Sequence, residues 1–439
     1  MKALTSTFKT LVTLTTSVLL PLCVVAQPHT PNVLTQDFHS DPKTTGWELT
    51  QFSRVHGPAK GAWVPPARPE NPDTNAPRVG YVSIESGYWQ SPAFAVRPHQ
   101  YYQLTFQSKA RIPGYWAAMF YGPDGMRLEA DHNSGIFQTE DWVDNELYFQ
   151  GKADAVTARL WFFPVSPKGG QTVCIRNITL ATATDQQVLE WADRLYATLP
   201  PVQYQPTPDG CTLIPRAMQK LRNGEPLRIV VLGDSIGNDT GNAPLDKLIQ
   251  RQYPGSHVTV ITSVRGATGC HYYQQENRVR EYVVRYKPDL VMMIAISHGH
   301  AAEPIRNVIR QIRDQCDAEI LLTVAPITPE ELMIGKCAIE HNLSIADAAT
   351  VRKIFLEAVT KVAHEERVEF LHLRKLWNDY LAAQEHDPTW FMRDNTHANV
   401  YGSQIVARML EKYFAPVPAS DSKTGHSTRD GPEWRSKKE

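Results

Sequence analysis

From Leu227 to Phe414 short apolar runs alternate with stretches of helical periodicity, and this alternation constrains the fold more than any other feature. Strands are expected at Ile229–Leu232, His257–Thr262, Asp289–Ile296, Glu319–Val324 and Val368–His372. Helices are expected at Ala243–Arg251, Tyr272–Tyr286, Pro304–Cys316, Leu343–Glu365 and Ala398–Phe414. Strands separated by helices imply a parallel sheet covered on both faces. Right-handed crossovers would then bring Ser235, Gly269, Ser297 and the Asp394 loop to one edge of it.

The first of these strands ends in Gly233-Asp234-Ser235, which delivers a serine hydroxyl at the carboxyl end of a strand, where open α/β sheets place their chemistry. A serine becomes a nucleophile only when a base removes its proton. Arg393-Asp394-Asn395-Thr396-His397 supplies an imidazole with a carboxylate three residues before it, just ahead of the last helix. Ser235, Asp394 and His397 can thus form a triad in that chain order. The competing role for Ser235 is a helix N-cap, which the same position favours.

A Gly-Asp-Ser after a strand, joined to Asp-x-x-His before the last helix, resembles the SGNH (GDSL-type) hydrolases over residues 226–415. The resemblance implies a flavodoxin-like sheet of five parallel strands and an esterase or deacetylase activity without a cofactor. It also implies an oxyanion hole built from the Ser235 and Gly269 N–H groups, with Arg265 to Gly269 as the second glycine block. An ordinary turn glycine is the alternative at Gly269. The third block departs from the family pattern. Where Gly-x-Asn-Asp is expected, the chain reads Ala295-Ile296-Ser297-His298-Gly299-His300, leaving His298 (or Ser297) as the third donor. Asp234, Asn238, Arg265 and Arg393 are candidate substrate contacts. No catalytic metal is expected, because no carboxylate or cysteine stands at ligand spacing beside His271, His298, His300 or His397.

The N-terminal half is different in kind. Residues 27–183 carry short alternating strands (Tyr101–Phe106, Glu146–Phe149, Ala158–Phe163) separated by turn signals such as Gly122–Gly125 and Lys168–Gly170. This pattern argues for an all-β sandwich. Rich in tryptophan (Trp47, Trp63, Trp89, Trp116, Trp142, Trp161), it resembles carbohydrate-binding jelly-roll modules. That resemblance implies glycan stacking on exposed rings; burial of the same rings in the core is the alternative. Residues 184–225 read as a linker with two short helices, Asp185–Leu199 and Leu213–Arg222, and 416–439 as a disordered tail.

Residues 1–26 have the form of a secretory signal: Lys2 and Lys9, an apolar middle, and Val24-Val25-Ala26 before Gln27. Lipid attachment at Cys23 is the alternative. A secreted or periplasmic location permits disulfides among the five later cysteines, with Cys316 and Cys337 a candidate pair. Lys plus Arg (45) nearly equals Asp plus Glu (46), so no global charge steers the chain to nucleic acid, and no later segment has the length of a membrane span. The expectation is a secreted carbohydrate esterase acting on a polysaccharide or oligosaccharide. A lipid, aryl or sulfate esterase and an inactive glycan-binding protein are the rivals.

Overall fold

A computed structural model describes residues 32–52, 57–66, 79–165, 169–206, 210–294, 296 and 300–416. The signal segment with Cys23, most of the C-terminal tail, Lys168, Ser297 and His298 lie outside the described residues.

The N-terminal half is a sandwich of two antiparallel sheets. One contains β1 (Asn32–Gln36), β3 (Lys60–Val64), β4 (Tyr81–Ser86), β7 (Tyr101–Ala110), β10 (Thr139–Gln150) and β12 (Val173–Ala183). The other contains β2 (Glu48–Thr50), β5 (Tyr88–Gln90), β6 (Phe94–Ala95), β8 (Gly114–Tyr121), β9 (His132–Ile136) and β11 (Thr157–Pro164). Strict alternation along β7 and β11 buries Leu104, Phe106, Leu160 and Phe162 between the sheets. The tryptophans divide between core and surface. Trp47, Trp89 and Trp116 are buried, while the other three are half-buried and already engaged. Trp63 donates to Phe38 O, Arg176 covers Trp142 at 4.0 Å, and Trp161 stacks on Tyr88 at 4.0 Å.

Helix α1 (Asp185–Ala197) starts at a capping box between Thr184 and Gln187 and packs Val188 and Trp191 onto the sandwich. Helix α2 (Pro215–Asn223) leads into the second half, whose five parallel strands run β14-β13-β15-β16-β17. They are β13 (Pro226–Gly233), β14 (His257–Val264), β15 (Leu290–Ile294), β16 (Glu319–Thr323) and β17 (Glu369–Leu371). This is the expected flavodoxin-like order, with β13 beside β15 where the order reverses. Helices cover both faces: α3 (Ser235–Thr240), α4 (Leu245–Gln250), α5 (Cys270–Tyr273), α6 (Arg278–Tyr282), α7 (Glu303–Gln315), α8 (Glu330–His341), α9 (Ile345–Glu365), α10 (Leu373–Ala382) and α11 (Val400–Tyr413).

Three expectations are corrected. The helix expected over Tyr272–Tyr286 is broken, because Asn277 at φ 64° leaves the helical region and Val283 interrupts the next turn. Helices α8 and α10 were not expected; the apolar residues of α8 are spread around the helix and not along one face, with only Cys337 and Ala338 buried. Cys316 and Cys337 are free, as are Cys174, Cys211 and Cys270, so no disulfide joins α7 to α8.

Candidate active site

Strand β13 is central, pairing with β14 and β15, and Ile229 to Leu232 are fully buried. At its last residue a Cβ on Gly233 would stand 1.9 Å from Ile294 O, so only glycine lets β15 approach there. The chain then turns directly into α3. Asp234 caps that helix by accepting from Ile236 N at 2.8 Å, and Ser235 is its first residue. The N-cap is therefore Asp234, which leaves the Ser235 hydroxyl for another partner.

That partner is His397. Its Nε2 lies 2.8 Å from Ser235 Oγ, across 162 positions of sequence. Its Nδ1 lies 2.8 Å from Asp394 Oδ2 and 3.0 Å from Oδ1. The loop between them is tight: Met392 bridges Ala398, Arg393 N donates to His397 O, and Asp394 Oδ1 accepts from Thr396 N (2.7 Å) and His397 N (2.8 Å). The carboxylate is thus oriented by backbone donors before it meets the imidazole. Burial alone would raise the Asp394 pKa; the hydrogen bond and charge of His397, followed by other donors, hold it well below the usual carboxylate range.

One of those donors comes from the other half of the molecule. Tyr115, on β8 of the sandwich, donates its hydroxyl to Asp394 Oδ2 at 2.7 Å, bridging 279 positions. Burial and then the charge of Asp394 raise the Tyr115 hydroxyl far above an ordinary phenol, so it remains a donor. Asp239 was also missed. It is fully buried four residues after Ser235, accepts from Arg393 Nη1 at 2.9 Å and from Ala398 N at 3.1 Å, and so ties the triad loop to the helix that carries the serine. Burial works against the charge on Arg393, but Asp239 and Asp394 around it keep it protonated.

The remaining predicted residues are distributed as follows. Gly269 is the N-cap residue of α5, in the loop that follows β14 on the same sheet edge as Ser235, in extended backbone (φ −164°). Its neighbour Cys270 N donates to Ile296 O at 3.1 Å, which draws the second and third blocks together. Asn238 is buried and donates to Asp131 Oδ1 of the sandwich at 2.8 Å. Arg265 pairs with Glu129 of the sandwich at 3.1 Å and lies over the Tyr272 ring. Arg393 is turned inward onto Asp239 and Ala398 O. These three side chains join the halves of the molecule or hold the loop. Lys336 of α8 is an additional cation beside the triad loop, donating to Asn395 O at 3.1 Å and to Thr396 Oγ1. Burial lowers the Lys336 pKa, against the pull of Asp394 and Asp234.

The contact between the halves is extensive and polar. Gln150 donates to Asp246 Oδ2 at 3.0 Å, beside a hydrogen bond from Tyr101 to Asp246 Oδ1. Lys152 donates to Asn242 at 3.2 Å, and burial brings its ammonium down to about 8. Asp154 accepts from both Arg285 and Tyr286 at 2.6 Å.

No protein-family model matches the chain, and no curated protein matches it. Among solved structures, a two-domain esterase (CEX) active on acetylated mannans is similar, with 17% identity, coverage of 51% of this chain and 58% of its own, and a TM-score of 0.36. A family two carbohydrate esterase from Clostridium thermocellum, in complex with cellohexaose, is 11% identical over 74% of this chain and 90% of its own, with a TM-score of 0.29. The CBM22-1 xylan-binding domain of Paenibacillus barcinonensis Xyn10C is 12% identical over 35% of this chain and 95% of its own, with a TM-score of 0.25. These solved structures are carbohydrate esterases and a glycan-binding module; likenesses this distant carry no argument about chemistry, which rests on the side chains described above.

Proposed function

We propose that the chain is a serine ester hydrolase that removes O-acetyl or similar acyl groups from a polysaccharide or oligosaccharide. The observation that carries the reading is the continuous contact from Ser235 Oγ through His397 to Asp394, at 2.8 Å and 2.8 Å. Ser235 Oγ attacks the ester carbonyl while His397 Nε2 takes its proton, forming a tetrahedral oxyanion. Collapse expels the sugar alkoxide, which receives that proton from His397, and leaves an acyl-serine. Water, deprotonated by His397, then releases the acid and restores Ser235. Asp394 keeps the Nδ1–H tautomer and stabilises the imidazolium. The oxyanion is assigned to the Ser235 and Gly269 N–H groups, with His298 (or Ser297) as third donor. Each step needs only protein groups and water.

The carbohydrate part is supported by a sandwich that meets the triad loop directly, through Tyr115 to Asp394 and Gly135 against Arg393. An aryl, lipid or sulfate ester would use the same nucleophile and is separated by substrate choice alone. The deciding experiment measures acetate release from acetylated plant and algal polysaccharides, with an aryl acetate alongside. Ser235→Ala is expected to lower kcat by about 10⁶-fold while leaving the fold intact. Equal turnover by wild type and Ser235→Ala would sink the mechanism. Aryl turnover without any polysaccharide release would sink the substrate class only.

A further inference from the structure

We infer that His300, Cys337 and His341 form a binding site for one divalent transition-metal ion of the zinc kind, which pins α8 to the segment that follows β15. This is independent of the esterase reading. Cys337 and His341 stand four apart on α8 and so share one face of it. His300 reaches them from a backbone at φ 50°, in the left-handed region. One ring nitrogen from each histidine and the Cys337 sulfur all lie within 4.8 Å of one another.

The spacing suits an ion. His300 Nδ1 and His341 Nε2 are 3.4 Å apart. Two nitrogens at about 2.0–2.1 Å from a tetrahedral zinc stand about 3.4 Å from each other. The Cys337 sulfur, within 4.8 Å of a ring nitrogen of each histidine, moves inward to reach its own bond length of about 2.3 Å. Two imidazoles and a thiolate are a donor set for zinc or its neighbours, not for calcium or magnesium. The fourth position is open to water or to Glu340, whose Oε2 is 4.0 Å from His341 Nε2.

Proton bookkeeping is consistent. Arg352 Nη1 lies 3.2 Å from His300 Nε2 and can only donate, so without an ion the His300 proton sits on Nδ1 and points to His341. An ion at Nδ1 moves that proton to Nε2. The Arg352 guanidinium is one rigid plane whose Nε and Nη2 hold Glu330 at 2.7 and 3.2 Å, so it is the His300 ring that shifts to separate the two donors. The cysteine ligand of such an ion is a thiolate, so binding releases one proton from the Cys337 sulfur.

The packing gives such a tie a purpose. Helices α8 and α9 share a small core of Cys337, Ala338 and Ala348, and Ile339 on α8 is 86% exposed. The residue before Cys337 is Lys336, which holds the loop between Asp394 and His397. An ion at Cys337 therefore fixes the helix that supports the triad loop.

The test strips the full-length protein with a chelator and titrates it with Co²⁺, reading the thiolate-to-cobalt charge-transfer absorption. Wild type and Ser235→Ala should both saturate at one equivalent, and Zn²⁺ should displace the cobalt. Cys337→Ser should abolish the band, while His300→Ala and His341→Ala weaken affinity at least tenfold. Zn²⁺ at about a hundredfold over its Kd should raise Tm by about 5–10 °C in wild type and not in the variants. A folded wild type without the band, or a band surviving Cys337→Ser, overturns the site. Should Cys337→Ser fail to fold, His341→Gln at a largely solvent-facing position decides, and unchanged affinity there overturns it as well.

Discussion

The two halves of the molecule bury different things. Between its sheets the sandwich places rings: Trp47, Trp116, Phe106, Phe120, Phe149 and Phe162 are all essentially inaccessible. Among its described residues only Lys152, of all its lysines, arginines, aspartates and glutamates, is buried, and it faces the other half. The α/β half encloses charge repeatedly. Asp239, Arg352, Arg374, Arg408, Glu369 and Glu411 are buried there, each with an ionic or hydrogen-bonded partner. A well-packed aromatic core stabilises without directing any group, whereas a buried ion pair fixes direction at a cost in desolvation. The charged side is where the Ser235–His397–Asp394 contacts lie, and the apolar side contributes one hydroxyl to them.

The contrast is broken most severely at Asp239. Asp239→Ala leaves the Arg393 guanidinium buried without its carboxylate, and should cost about 3–5 kcal/mol in denaturant unfolding along with most of the activity. A loss below about 1 kcal/mol would mean the pair does not hold the loop. A smaller effect is expected from the sandwich side. Tyr115→Phe removes one donor from Asp394 and should lower kcat about tenfold with KM unchanged, since a hydrogen bond to a charged group contributes about 1.5–3 kcal/mol. If kcat is unaltered, the sandwich is a neighbour of the site and not a part of it.

The smallest effect lies in pH dependence. Burial, offset in part by backbone donors and His397, raises the Asp234 carboxyl to about 7. Its folded value is above the unfolded one of 3.8, so its contribution to stability is complete below that value and disappears as pH rises through about 7. Asp234→Asn keeps the helix cap and should gain about 2 °C in Tm on wild type between pH 5 and pH 8, after allowance for solvent screening at a half-buried group. Asp394 runs the opposite way. Its folded value is depressed, so its contribution is present above 3.8 and is lost only as pH falls through that depressed value. A Tm gain for Asp234→Asn that does not grow with pH would contradict the burial of that carboxyl.

Much of this was legible in the chain because it was local. The run Ile229 to Leu232 announces a buried strand, Asp394-x-x-His397 places an acid beside a base, and the alternation after Leu227 marks a parallel sheet, whose flavodoxin-like order the family resemblance implied. Tyr115 was not legible. Its alternation within β8 reads as any half-buried strand residue, and its partner lies 279 positions away. Asp239 left a faint signal, being one helical turn beyond Ser235, but only the fold shows Arg393 arriving there. Cys337-x-x-x-His341 escaped because α8 lacks the apolar stripe that marks a helix, so the spacing had no face to belong to.

The polar seam between the halves has a consequence for anyone wishing to excise or swap them. Cutting at the end of β12 would strip Asp246 of Tyr101 and Gln150, Asn238 of Asp131, and Asp394 of Tyr115 in a single stroke. The C-terminal piece is therefore no interchangeable cassette: a chimera bearing a foreign sandwich must reproduce those partners or leave Asp246, Asn238 and Asp394 without them.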